Sequence, residues 1–226
     1  MKEYNLKKIC AKEALKQIKP NSIIGLGGGS TIAYLVQYIN EENINVKVVT
    51  PSIKTKALCF NNGLEVLHTS LIDEIDIAFD GCDEVDENLN AIKSGGGIHT
   101  KEKLIASMSK EYILLIDDSK YVNTLTNKYP IVLEIIEDSL SYVQKEVKKL
   151  GGNPETRSSI AKDGYTITEG GNLLIDVTFE DIQDAYGLEK NLKSICGVID
   201  TSLFIDKVTK VLITGKDGTR IISKNK

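Results

Sequence analysis

Residues 76–103, DIAFDGCDEVDENLNAIKSGGGIHTKEK, gather the groups needed to move a proton beside a stabilised anion. An apolar run, Ile75–Phe79, ends in the carboxylates Asp80, Asp83, Glu84 and Asp86. Lys93 follows, then Gly95–Gly97, then Glu102 in the first turns of an expected helix over 100–109, with Thr100 as its expected N-cap. Neighbouring carboxylates raise one another's pKa, which suits acid–base exchange. A lysine is a compact cation that can sit against a developing oxyanion, and glycine amides can point at the same group. Taken alone, the acidic residues also suit a solvated turn, and Glu102 a surface helix carboxylate. Their company with Lys93 and the glycines favours the chemical reading.

Such chemistry needs a grip on the substrate. GLGGGST at 25–31 lies between an expected strand (22–26) and a helical run, Ile32, Leu35, Val36, Ile39. Glycines let the backbone approach an anion, and a helix N-terminus aims amide donors at it. Gly28, Gly29, Ser30 and Thr31 are the candidate donors; the alternative is a tight turn without a ligand. A dinucleotide site is disfavoured, because the sixth position of the glycine pattern is Ser30 and the next strand ends Val49-Thr50-Pro51 without a carboxylate. No Gly-Lys-Ser/Thr of a Walker loop is present, so a single phosphate group fits best. Lys120, in the DDSK after a strand over 112–116, could reach the same anion.

The elements that position these groups alternate. Helix 5–18 and strand 22–26 precede the first glycine turn. Strand 46–49, a helix from Pro51-Ser52 to about Phe60, strands 64–67 and 75–79, helix 100–109 and strand 112–116 follow. Strands alternating with helices imply a Rossmann-like parallel sheet with helices on both faces, and Asp80 then falls at a strand's C-terminal end, where such sheets bind ligands. After Tyr129-Pro130 the texture changes. Strand 131–136, helix 140–150, strands near 165–168 and over 173–177, and a helix over 181–195 interrupted at Gly187 predict a smaller ferredoxin-like α+β domain. The division is 1–129 with 206–226 for the catalytic domain, and 130–205 for a lid or oligomerisation domain. Tail strands 207–213 and 219–223 read as a hairpin returning to the first sheet.

The 226 residues carry a net charge of -4, with 41% hydrophobic and 27% charged residues, ordinary for a globular protein. There is no basic tail or stripe to suggest nucleic acid. The N-terminus, MKEYNLKKICAKEAL, has no apolar signal region, and no run approaches a membrane span, so the expectation is a cytoplasmic protein. Cys10, Cys59, Cys82 and Cys196 form no C-x-x-C pair and read as reduced thiols. His68 and His99 have no evident co-ligands, so neither a metal nor a cofactor is expected.

GLGGGST, DGCDEVD, KSGGG with HTKEK, and DDSK, in this order, resemble the ribose-5-phosphate isomerase type A family. LGG at 150–152, Arg157, TEGGNLLIDV at 168–177, Gly197-Val198 and Leu203-Phe204 extend the resemblance over nearly the whole chain. It implies a metal-free aldose–ketose isomerase that works through an enediolate and forms dimers or tetramers. By motif, Glu102 is the base. Asp80 and Asp83 bind sugar hydroxyls, and Asp80 aids ring opening. Lys93, with the loop amides of Ser94, Gly95 and Gly96, stabilises the enediolate, beside Gly81 and Cys82. Gly28–Thr31, Lys120 and Lys7 hold the phosphate. The chain departs from the family pattern at Ser94, Cys82, His99, the TEGGN turn and Ser202; the last two are expected to lie away from the chemistry, His99 to pack or face solvent, and Cys82, if exposed, to be thiol-reactive. The competing reading is a sugar-phosphate sensor that binds without turnover.

Overall fold

Ile- and Val-rich runs alternate with helical runs through the first half of the chain, and the computed structural model, which describes residues 3–159 and 162–224, joins them in one mostly parallel sheet. In chain order come α1 (Glu3–Leu15), β1 (Ile23–Leu26), α2 (Ser30–Glu41), β2 (Lys47–Val49), α3 (Ile53–Asn61), β3 (Glu65–Val66) and β4 (Ile77–Asp80). A short hairpin, β5 (Glu84–Val85) and β6 (Ala91–Ile92), precedes α4 (His99–Met108) and β7 (Tyr112–Asp117). Then follow β8 (Ile131–Ile135), α5 (Leu140–Lys149), β9 (Asn153–Thr156), β10 (Ser158–Ser159), β11 (Lys162–Tyr165) and β12 (Leu173–Thr178). The chain closes with α6 (Ala185–Lys193), β13 (Val198–Thr201), β14 (Leu203–Phe204), β15 (Lys210–Gly215) and β16 (Gly218–Ser223).

The large sheet runs β16-β15-β7-β4-β1-β2-β3, parallel throughout except for the β15–β16 hairpin, which adds to β7. The tail therefore returns as its sequence predicts. β1 pairs with β2 on one side and β4 on the other. The loops after β1 and β4 thus diverge, and a crevice opens between them at the C-terminal strand ends. Ile24, Phe79 and Ile113 are essentially inaccessible in the core of this sheet, and each such side chain contributes about 1.5–3 kcal/mol through burial. A Cβ at Gly25 would stand 2.6 Å from the Ala78 Cβ and 2.9 Å from Ile105 Cγ2. The missing side chain lets α4 press onto β1 and β4, which brings the first turn of α4 to the crevice.

The second half forms an antiparallel sheet, β13-β8-β12-β9, in the strand–helix–strand–strand–helix–strand order of ferredoxin-like units. Its second strand is β9, not the predicted strand near 165–168; Ser158–Ser159 and Lys162–Tyr165 instead pair with each other as the antiparallel strands β10 and β11. β9 is an edge strand, Asn-Pro-Glu-Thr, that buries none of its side chains fully. It shows no apolar alternation and carries a proline, so the sequence carried no signal for it. Gly187 does not interrupt α6: it sits in the first turn, where its N–H donates to the Asp184 N-cap at 2.9 Å.

A third sheet, β14-β6-β5, was not expected. It turns the acidic loop into a hairpin whose turn holds Leu89 at φ 61 and whose Asp86 accepts the Asn88 and Asn90 amides at 2.9 and 2.8 Å. Because β14 follows directly on β13, the last strand of the antiparallel unit, and pairs with β6, it joins that unit to the strand leading into Lys93.

Candidate active site

The crevice holds a cavity of about 680 Å³ at the C-terminal ends of β1, β4 and β7. Lys7, Gly28, Gly29, Ser30, Thr31 and Lys120 line it, as do Asp80, Gly81, Cys82, Asp83, Lys93, Gly95, Gly96 and Glu102. Residues as far apart in sequence as Lys7 and Lys120 meet here because α1, α2, α4 and the β7 exit all point at one end of the sheet. Of the residues singled out in the sequence, Ser94 is placed outside the lining. It is buried, with its hydroxyl bonded to the Pro130 carbonyl.

The four carboxylates of the acidic loop divide. Glu84 accepts from the Thr126 amide and hydroxyl at 2.6 and 2.8 Å, and Asp86 closes the hairpin turn, so both hold loops in place. Asp80 and Asp83 face the cavity. Asp80 Oδ1 accepts the Gly81 amide at 2.8 Å, while Oδ2 accepts the Tyr112 hydroxyl at 3.0 Å and lies 3.0 Å from Lys93 Nζ. A Cβ at Gly27 would stand 1.9 Å from Asp80 Oδ1, so only glycine leaves room for this carboxylate. Asp83 Oδ2 accepts the Ser94 amide and, at 3.2 Å, the Gly95 amide. The start of the glycine run is therefore pinned by Asp83.

Lys93 is the centre of the cluster. Its ammonium bonds Asp80, lies 3.4 Å from Glu102 Oε1, and donates to the Gly81 carbonyl. Burial disfavours its charge, yet the carboxylates of Asp80 and Glu102 outweigh this and hold its pKa above the usual lysine value. Glu102 stands in the first turn of α4, which begins at His99 under an Ile98 N-cap, so Thr100 is not the cap. Burial first, then the Asp80 charge, push the Glu102 carboxyl up to about 8, with Lys93 opposing them. A buried base poised near neutrality, facing a permanent cation, is equipped for proton transfer. The Tyr112 hydroxyl is driven well above its usual pKa by burial and by Asp80, so it acts as a donor.

The anion grip is separate. Gly29, at φ 98, is the N-cap of α2 and supplies no side-chain hydrogen bond, leaving the first amides of the helix directed at the cavity mouth. Thr55 fixes this turn by donating its hydroxyl to the Gly27 carbonyl at 2.7 Å. Lys120 donates to the Cys82 carbonyl at 2.6 Å. Lys7, Thr31 and Lys120 also line a small adjoining cavity of about 40 Å³, so both lysines stand near the start of α2.

Sequence reasoning missed several neighbours. Ser52, Ile53 and Lys54 enter the lining from the N-terminus of α3, and Glu169 from the TEGGN turn. That turn is therefore not remote, and Glu169 also pairs with Lys101 at 3.5 Å. Ser202 is close as well: its carbonyl accepts the Lys93 amide at 3.0 Å, and its hydroxyl accepts the Val132 amide. Arg157, fixed by both oxygens of Asp176 at 3.0 Å, donates to the Ser94 carbonyl at 3.0 Å. These contacts come from the antiparallel unit, and no local pattern links them to the loop. Cys82 is buried, and burial pushes its thiol up to about 12, which makes it inert rather than reactive. His99 packs in the interior, its pKa lowered to about 4 by burial and by Lys103. Among the described residues, no group of three or more His, Cys, Asp or Glu is arranged to hold a metal ion.

A helix-end anion grip facing a buried Lys–carboxylate cluster, on an α/β sheet, defines an enzyme that transfers protons on a phosphorylated small molecule. The family model for ribose 5-phosphate isomerase A (phosphoriboisomerase A) matches residues 47–218. The chain is 36% identical to ribose-5-phosphate isomerase A of Synechococcus sp., over 96% of each chain. It is 38% identical to that of Pyrococcus furiosus, over 99% of this chain and 100% of the other. The solved ribose 5-phosphate isomerase A from Methanocaldococcus jannaschii is similar at a TM-score of 0.92 and 37% identity, covering 99% of this chain and 100% of that one. A D-ribose-5-phosphate isomerase in complex with phospho-erythronic acid matches at 0.93 and 35%, with the same coverage. The chain belongs to the ribose 5-phosphate isomerase A family. A second model, the DeoR C terminal sensor domain, matches residues 2–70 and ends before Asp80.

Proposed function

We propose that this chain interconverts D-ribose 5-phosphate and D-ribulose 5-phosphate through an enediolate, with Glu102 as the base and no resident cofactor. The observation that carries this reading is the Lys93 ammonium, bonded to Asp80 and 3.4 Å from Glu102, in a cavity that also contains the anion grip. The phosphate lies at Gly28–Thr31 with Lys7 and Lys120, and this remote binding orients the reacting carbons. Asp80 and Asp83 take sugar hydroxyls, and Asp80 aids ring opening. Glu102 removes the proton on C2 of the open-chain aldose, and charge develops on O1 opposite Lys93 and the Gly96 amide. The C–H proton is weakly acidic, so base and cation must act together. Glu102 then returns the proton to C1, while the hydroxyl proton passes from O2 to O1 and leaves the C2 ketone.

A coupled assay with ribose 5-phosphate, run with and without chelator, tests this. Absence of turnover by pure folded protein overturns the enzyme reading, and loss of activity in chelator overturns the metal-free route. The match of residues 2–70 to a sensor-domain model favours a second reading, binding without turnover, which the same assay separates.

We assign residues 130–205 as the lid and association unit of a cytoplasmic homodimer or homotetramer. Tyr142, Tyr165, Ile167 and Tyr186 are each more than half exposed on it, which supports contact between copies. The unpaired, mostly buried thiols support a reducing compartment. No described helix is long and apolar enough to cross a membrane. Light scattering of the purified chain checks the assembly; a monomer at micromolar concentration rules it out.

A further inference from the structure

Phe204 on β14 is fully buried and does not line the cavity, yet its ring gathers side chains from two different networks. Lys93 Nζ lies 5.7 Å from its centroid and Lys103 Nζ 5.3 Å. Tyr112 stacks on it, with centroids 6.2 Å apart and planes inclined by 15°. The Tyr112 hydroxyl in turn donates to Asp80, the carboxylate that holds Lys93. The backbone is tied at the same place, since Leu203 pairs with Ile92 and the Ser202 carbonyl accepts the Lys93 amide.

The two ammonium groups belong to different networks. Lys103 is held by the antiparallel unit: Glu189 at 2.9 Å, Asp200 at 2.8 Å and the Thr201 carbonyl at 2.7 Å. Lys93 is held by Asp80, Glu102 and the Gly81 carbonyl. Each lysine has three N–H donors, and each already has at least three oxygen partners. A polar side chain at position 204 would compete for one of those donors. An aromatic face attracts the cation by its quadrupole and removes no hydrogen bond. A lysine carries a flexible stem, so a lateral attraction of this kind decides where its head spends its time.

We propose that Phe204 is a positioning residue for the isomerisation, its ring holding the Lys93 ammonium against Asp80 and Glu102 while the acidic residues of the antiparallel unit keep Lys103 apart. This rests on the assignment of Glu102 as base and Lys93 as its opposing cation. Weakening the ring's field lets Lys93 drift. The base then loses part of the charge that opposes its protonation, and the developing oxyanion loses its cation. The phosphate grip is untouched.

The test replaces Phe204 with 4-fluoro-, 3,5-difluoro- and 3,4,5-trifluorophenylalanine, incorporated at that site alone, and adds Phe204→Leu. Fluorines drain the ring face at nearly constant shape, so the series keeps the fold even if the leucine variant does not. The expected result is a stepwise fall in kcat, reaching about tenfold at the trifluoro ring. The acid limb of the pH–kcat/KM profile moves to higher pH with each step, and KM stays within about twofold. A kcat and an acid limb that do not respond to fluorination overturn the inference, whatever Phe204→Leu does to stability. An inactive wild type overturns the isomerase reading and this inference together; an active wild type with a flat series overturns this inference alone.

Discussion

Lys93 Nζ lies 3.4 Å from Glu102 Oε1, a buried ammonium facing a buried carboxylate that is not its closest partner. The shorter contact, 3.0 Å, is to Asp80. Lys93 is thus charge-satisfied by Asp80 and leaves Glu102 only partly compensated, which is what allows a carboxylate beside a cation to keep a raised pKa.

The pH–rate profile reports this balance. The proposed base, Glu102, can take a proton only when deprotonated, and its carboxyl is pushed up to about 8. kcat/KM should climb with unit slope from pH 6 and level off above about 8. Lys93 stays protonated across this range, because its pKa is raised. A limb near the ordinary glutamate value of 4.5 contradicts the burial argument.

Stability should run the other way. Between 4.5 and about 8 the folded protein binds a proton at Glu102 that the unfolded chain has released, so stability falls as pH rises through that window. Thermal unfolding of wild type and Glu102→Gln at pH 6 and pH 9 isolates this contribution. The variant should lose less Tm over the interval, and an equal loss in both proteins refutes the assignment.

Glu102→Gln should also lower kcat by about 10²–10⁴. The variant should still bind ribose 5-phosphate, since the proposed phosphate grip and Lys93 remain. Near-normal kcat would mean that another group removes the proton.

Lys120→Ala should act on binding. Removing a charged donor to a phosphate oxygen costs about 1.5–3 kcal/mol, so KM should rise about tenfold or more, with the pH profile unchanged. Steady-state kinetics showing an unchanged KM place the phosphate elsewhere.

Gly27→Ala sets a methyl group 1.9 Å from Asp80 Oδ1. Overpacking of this kind costs about 1–3 kcal/mol, and the displaced carboxylate releases Lys93. Calorimetry and kinetics should show a lower Tm and a lower kcat together. Wild-type values for both mean that Asp80 is not held as described.

Iodoacetamide should modify the exposed Cys196 and spare Cys82 in the folded protein, although Cys82 lines the cavity. Burial keeps its sulfur protonated, with a pKa of about 12. Peptide mass spectrometry before and after unfolding distinguishes the two sites, and labelling of Cys82 in native protein removes the argument.

Much of this protein was determined by local sequence. Strand, glycine turn and helix at 23–41, the strand ending in Asp80, Lys93 before a glycine run, and Glu102 opening a helix are all short-range patterns. They follow from turn chemistry, helix termini and apolar periodicity, which act over a few residues. The parallel sheet followed from the alternation of strands and helices, and the tail hairpin from two apolar runs around Lys216-Asp217-Gly218. Tertiary structure decided the rest. Only folding sorted the four acidic residues, setting Glu84 and Asp86 to hold loops and Asp80 and Asp83 to face the cavity. Only folding gave Asp83 the glycine-loop amides, buried Cys82, and brought Glu169, Arg157 and Ser202 to a site they do not adjoin in sequence. The edge strand β9 and the β14-β6-β5 sheet were invisible for the same reason: their residues are specified by partners across the sheet, not by their own pattern. Burial and charge pairing are set by neighbours distant in sequence, so the types of the candidate catalytic groups were legible from the chain, while the raised pKa of Glu102 and the ring beside Lys93 arose only when the sheets met.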